Sequence, residues 1–269
     1  MTTATATAPT TRDDADLEPI HPVRLTRLVA VELSKMFDTR AGFWLVSAIG
    51  ILAVVATAAA IAFAPDDAIT YSTFAQAVGI PMSVLLPIIA ILSVTGEYSQ
   101  RTALMTYTLV PRRGLVIGGK ALAALFVGIV GMVAALTIGA LGNLVGALVS
   151  GVEPAWNVSA GAIVLVVGAN IMVMTVGFML GVLIRSSPGA IVGYFVYSLV
   201  LPGLLATLAA YQSWFADLQG WVDVNFSINR LYEDAMTAQA WAQLGLTSLI
   251  WIAVPLLLGV RAVLRGEVK

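Results

Sequence analysis

The chain has 269 residues, 59% of them hydrophobic and 11% charged, with a formal net charge of -1. Soluble domains carry about 25% charged residues, so there is too little polar surface here to cover a water-soluble globule of this size, which argues against a soluble enzyme, a nucleic-acid binder or a disordered protein. The absence of cysteine removes disulfides and thiolate metal sites.

Residues 1–22 are Thr/Ala-rich and then acidic, with no apolar period, and are expected to be a disordered tail. The first long apolar run begins only at Phe43, so the tail does not have the order of a signal peptide. Over 23–40 the apolar residues Leu25, Leu28, Val29, Leu33, Met36 and Phe37 recur at helical spacing, with Arg24, Arg27 and Lys35 on the other side. This is the pattern of an amphipathic helix lying in a membrane interface. It also fits a helix packed on a soluble domain, but no such domain is nearby.

A helix crossing ~30 Å of hydrocarbon needs about 20 apolar residues. Six runs meet or approach that length, at about 43–64, 78–94, 121–141, 160–184, 189–210 and 244–264. The second holds Pro81 and Pro87, and the fifth holds Pro202 and Gly203; kinks are expected at all four. The uncharged stretch after the third run suggests a bent end formed by Gly142, Asn143 and Gly146. These readings give an all-α polytopic membrane protein. Its six-span domain covers 43–264, with long connections at 95–119 and 211–243. The second connection carries Trp214, Trp221, Tyr232 and Trp241, which suit a headgroup-level aromatic belt.

In a six-span threading, 13 of the 14 basic residues fall on one side and only Arg230 on the other. The positive-inside rule then places both termini in the cytoplasm. The composition suggests a bacterial chain in the inner membrane.

The string Gly114-Leu-Val-Ile-Gly-Gly-Lys120 fits GxxxxGK but is followed by Ala121, where a phosphate-binding loop needs Ser or Thr to reach magnesium. Lys120 is better read as an anchor for one end of the third span. No catalytic or metal-ligating set is expected, since the one histidine, His21, lies in the tail. No ionisable residue falls in the middle of a span, so the usual machinery of a proton- or ion-coupled transporter is missing. The spacings Gly142xxxGly146, Gly177xxxGly181 and Gly189xxxGly193 permit close helix approach, within the chain or across a dimer seam.

The most specific stretch is Gly96-Glu97-Tyr98-Ser99-Gln100-Arg101-Thr102, continuing to Pro111-Arg112-Arg113 and Lys120. An acid sits just past a span, a short polar segment follows, and two arginines and a lysine lead into the next span. Six spans, an amphipathic N-terminal helix and this stretch together resemble the permease subunits of ABC-2 type exporters. The resemblance rests on Glu97, Arg101, Thr102, Pro111, Arg113 and Lys120, and the Arg101-Thr102 pair stands where many relatives have Gly-Thr.

The resemblance implies that a separate ATP-binding-cassette subunit binds ATP and magnesium, and that this chain holds no cofactor of its own. It also implies a second permease subunit, and short outer-face helices in the 211–243 connection before the last span. Glu97, Tyr98, Arg101, Thr102, Pro111, Arg112, Arg113 and Lys120 would form a coupling segment in the ATPase cleft, touched also by the amphipathic helix. The cargo would be amphiphilic or hydrophobic. Read from the residues alone, Glu97, Arg112 and Arg113 equally serve as topological anchors. The other functional classes left open are an autonomous transporter or channel and a non-transport sensor or assembly subunit.

Overall fold

The computed structural model describes residues 24–100, 112–233 and 236–265. The described residues form an all-α membrane fold with six helices long and apolar enough to span a bilayer. Helix α1 (Leu25–Asp38) is followed by α2 (Arg40–Phe63), α3 (Tyr71–Ser99), α4 (Arg113–Ser150) and α5 (Ala160–Ile184). The fifth span is α6 (Ser187–Tyr211), two short helices α7 (Ser213–Val222) and α8 (Val224–Tyr232) come next, and the last span is α9 (Ala238–Arg265).

The spans alternate in direction, and side-chain contacts gather their ends into two layers. One layer joins α1, the end of α3, the starts of α4 and α6, and the end of α9. This is the basic end of the bundle. At the far end, Tyr71 N–H bonds the Ala155 carbonyl, and Ser72 N–H bonds Asn157 Oδ1 at 3.0 Å. The far end also holds α7 and α8, which occupy the connection where short helices were expected.

Three spans outrun their apolar runs; the last begins at Ala238, inside the 211–243 connection, rather than at 244. The second extends to Ser99, and the third begins at Arg113 and continues to Ser150. The 38 residues of α4 rise about 57 Å at 1.5 Å per residue, well beyond the hydrocarbon. The described parts of the 95–119 connection are therefore helical ends rather than loop. Gly142, Asn143 and Gly146 do not form a bent end either: they lie inside α4 and are buried. A Cβ on Gly146 would lie 2.9 Å from the Phe74 ring of α3, so the absence of side chains is what admits that ring.

Helix α3 is the most buried span and α6 the least. On its other side α3 meets α5, where a Cβ on Gly177 would stand 2.5 Å from the Pro87 carbonyl oxygen. The small-residue pairs at 142/146 and 177/181 therefore serve packing within the chain. Helix α3 continues as one α-helix through Pro81 and Pro87. In α6 the interruption is a π-turn at Val196–Val200, immediately before Pro202. A second π-turn, Leu249–Ala253, stands at the same spacing before Pro255 in α9, a position the sequence reading did not single out. Helix α6 opens two residues before its 189–210 run, with Ser186 as its flanking residue and Pro188 in its first turn.

Candidate functional site

The sequence of α1 sets one end of the site. Leu28, Glu32 and Met36 follow one another at intervals of four and form its buried face. Arg24 and Arg27 are exposed. The helix does not simply float on a surface: it packs along α4 and α2. Its approach is close, since a Cβ on Gly119 would stand 3.2 Å from Leu28 Cβ. An acid is thus pressed, between two apolar neighbours, against the body of the bundle.

Two lysines answer it, and both also reach a second acid. Lys120 Nζ lies 2.7 Å from Glu32 Oε2 and 3.1 Å from Glu97 Oε1. It also donates to the Ser93 carbonyl at 3.1 Å. Lys35 Nζ bridges the same two acids, at 2.8 Å to Glu32 Oε1 and 2.7 Å to Glu97 Oε1. The result is a closed ring of two acids and two bases drawn from α1, α3 and α4. Glu32, Glu97 and Lys120 retain only 5%, 8% and 3% exposure. Charges taken this far from water persist only when paired and hydrogen-bonded, and here the four formal charges cancel.

Lys35 is the partly exposed member. Burial alone would lower its pKa, but the hydrogen bonds and charges of Glu32 and Glu97 outweigh that and hold the ammonium above its usual 10.5.

Beside the ring, α3 presents a second polar edge. Thr95 is fully buried, with Oγ1 2.8 Å from Ser187 Oγ of α6, and Ser99 Oγ lies 2.9 Å from the same Ser187 oxygen. The last turn of α3 is thus tied to α1 and α4 by charge and to α6 by hydroxyls. Arg113, at the start of α4, donates from Nη1 to the Val263 carbonyl of α9 at 3.0 Å. Tyr98 packs at the edge of the apolar core. Arg112 is exposed just before α4.

Several sequence expectations change here. Glu97 lies inside the last turn of α3 rather than past the span. Lys120 lies two turns inside α4 and is buried in the ring, so it is not an anchor reaching for the surface. The string from Gly114 to Lys120 is helical throughout. Its backbone N–H groups lie within a helix instead of lining a phosphate-binding loop. Arg101, Thr102 and Pro111 lie outside the described residues, as does the tail.

Glu32 escaped the sequence reading, although an acid in the middle of the apolar arc Leu28–Met36 was a usable signal. Ser187 and Thr95 carried none. Among the described residues no group of three or more His, Asp or Glu side chains is placed to hold a metal ion. The ring pairs its own charges and fastens three helices.

A multi-pass, all-α membrane protein with a charge-clamped N-terminal helix is the class that this fold and site define. No protein-family model matches the chain, and no curated protein matches it.

Proposed function

We propose that this chain is the transmembrane permease subunit of an ATP-driven exporter of the ABC-2 type, working with a separate ATPase subunit and a second permease subunit. The observation that carries this reading is the buried ring of Glu32, Lys35, Glu97 and Lys120. It brackets the connection between α3 and α4: Glu97 stands just before it and Lys120 two turns beyond it. The ring joins both to α1. A soluble partner pressing on that connection would therefore move α1, α3 and α4 as one body, and through Ser187 the start of α6 as well. Such a rigid-body response is what a mechanically driven permease needs.

In this reading the basic end faces the cytoplasm of a bacterial cell and the α7–α8 end faces outward, in keeping with the positive-inside rule. Arg112 and the exposed Arg24 and Arg27 meet the ATPase subunit. ATP and magnesium are bound, and ATP hydrolysed, in that partner. This chain supplies the pathway for an amphiphilic or hydrophobic cargo.

The test is purification of the chain from its own membranes in mild detergent, with mass spectrometry of what accompanies it. The expected result is a stoichiometric soluble protein carrying a complete GxxxxGK[ST] loop. Recovery of the intact chain without any ATP-binding protein would overturn the assignment.

A further inference from the structure

The fifth span is held very differently along its length. Its half nearest the basic end, Ser187–Phe195, is tied to α3 at two levels. At the first, proton counting orders the hydroxyls. Thr95 donates its one proton to the Ile91 carbonyl at 2.9 Å, so it must accept from Ser187, and Ser187 must then accept from Ser99. The chain of bonds runs from Ser99 through Ser187 and Thr95 to the backbone of α3. Such chains reinforce one another in a low-dielectric setting.

At the second level, Tyr194 donates its hydroxyl to the Ser83 carbonyl at 2.7 Å. In an unbroken helix that carbonyl would receive the N–H of the residue four positions on, which is Pro87 and has none. Tyr194 fills the vacancy that Pro87 creates. Both Tyr194 and Ala190 are buried.

The other half, Leu201–Tyr211, contains no buried residue, and outside its own span its main contacts are with α7. Between the halves the helix is weakened three times in succession. Leu201 N–H reaches back five residues to the Val196 carbonyl. Pro202 supplies no N–H. Gly203 has open space around it. The Tyr197 carbonyl, which Leu201 would serve in a regular helix, is instead bonded by Asn225 Nδ2 of α8 at 3.2 Å.

The matching π-turn in α9 is braced on both sides. Ala240, Gln243, Leu244 and Thr247 are buried before it. Within it, Trp251 Nε1 donates to the Val222 carbonyl at 2.7 Å. Mid-helix π-turns and prolines are where helices bend; only the one in α6 has an unbraced arm.

We propose that Val196–Val200 is a hinge: Ser187–Phe195 travels with α3, and Leu201–Tyr211 swings independently of it. The proposal concerns this chain alone and requires neither nucleotide nor cargo. Its test therefore stands or falls separately from the exporter reading.

The chain has no cysteine, so spin labels can be placed by substitution alone. Two label pairs share Ile80 of α3: one with Val192 and one with Leu204, all three exposed. Distances are measured by pulsed electron spin resonance in the full chain reconstituted in lipid. The expected result is one narrow distribution for Ile80–Val192 and a broad one for Ile80–Leu204. Adding Pro202→Ala should narrow the second, because a regular helix can then form across the turn. Adding Ser187→Ala with Tyr194→Phe should broaden the first. Equal widths in the chain carrying only the labels would overturn the hinge, including the case where a neighbouring copy holds both halves still. So would a second distribution unmoved by Pro202→Ala, or a first one unmoved by loss of both tethers.

Discussion

At the basic end of the bundle four full charges from α1, α3 and α4 meet in one ring, three of them buried and Lys35 partly exposed. At the far end the polar groups buried in α7, α8 and α9 are mostly neutral: Gln219, Ser227, Gln243 and Thr247. Asp223, the one buried acid there among the described residues, accepts the N–H groups of Asn225 and Phe226 and so caps α8. Arg230 is settled by Gln243 Oε1 at 3.0 Å and by the Phe226 ring 4.9 Å from its guanidinium carbon. Far-end groups are satisfied one at a time by near neighbours. The ring groups are satisfied mainly by one another, and three of their four ion pairs cross between helices far apart in sequence. Local satisfaction should fail gradually, whereas the ring should fail as a unit.

The sharpest break of that contrast is Lys120→Met. It leaves Glu32 and Glu97 buried around Lys35 alone, and loss of one partner from a buried pair typically costs about 3–5 kcal/mol. Denaturant titration of the purified chain in detergent should show that loss. The double variant Lys120→Met with Glu97→Gln should recover much of it, since the remaining buried charges balance. If the double variant is as unstable as the sum of the single ones, the ring is not a unit.

Between the two ends the contacts are mostly apolar, and Gly177→Ala tests them. Its new methyl would press on the Pro87 backbone of α3, at an expected cost of about 1–3 kcal/mol in the same titration. At the far end, Asp223→Ala removes the α8 cap and should cost about 0.5–2 kcal/mol. A cost there equal to that of Lys120→Met would erase the distinction between the ends.

The smallest effect is that of pH on Lys35, which is partly exposed and therefore screened. Because its folded pKa lies above the usual 10.5, its stabilising contribution is complete below that pH. It is lost as pH rises through the folded value. The melting temperature of the unaltered chain should thus fall more steeply than that of Lys35→Met only in strongly alkaline buffer.

The six spans and the amphipathic α1 were readable because both are periodic or compositional properties of consecutive residues. Span ends were less so. The apolar run stops at Val94, before Thr95 and Glu97, yet the helix continues, since Glu97 is neutralised by Lys35 and Lys120 from elsewhere in the chain. The third span was ended near Leu141 by a length rule, but Gly142 and Gly146 carry it on as a docking face for Phe74. Glu97, Lys120 and Lys35 each stood out singly in the sequence. Their meeting, and the part played by Glu32, depends on how α1 docks, which no local pattern encodes. The unequal hold on the two halves of α6 was hidden for the same reason: Ser187 and Tyr194 look like ordinary helix residues until Thr95 and the vacant Ser83 carbonyl are placed beside them.

The central claim is that buried charge, rather than the apolar face of α1 alone, fastens that helix to the bundle. Hydrogen–deuterium exchange of the Leu25–Asp38 amides in lipid, compared between the unaltered chain and Lys120→Met, tests it most directly. A loss of about 3 kcal/mol corresponds to roughly a hundredfold faster local opening at 1.4 kcal/mol per factor of ten. That acceleration is expected in α1 and in the adjoining turns of α3 and α4, with α7 and α8 unchanged. Unchanged exchange across α1 would contradict the account, because Leu28 and Met36 alone would then be enough to hold the helix in place.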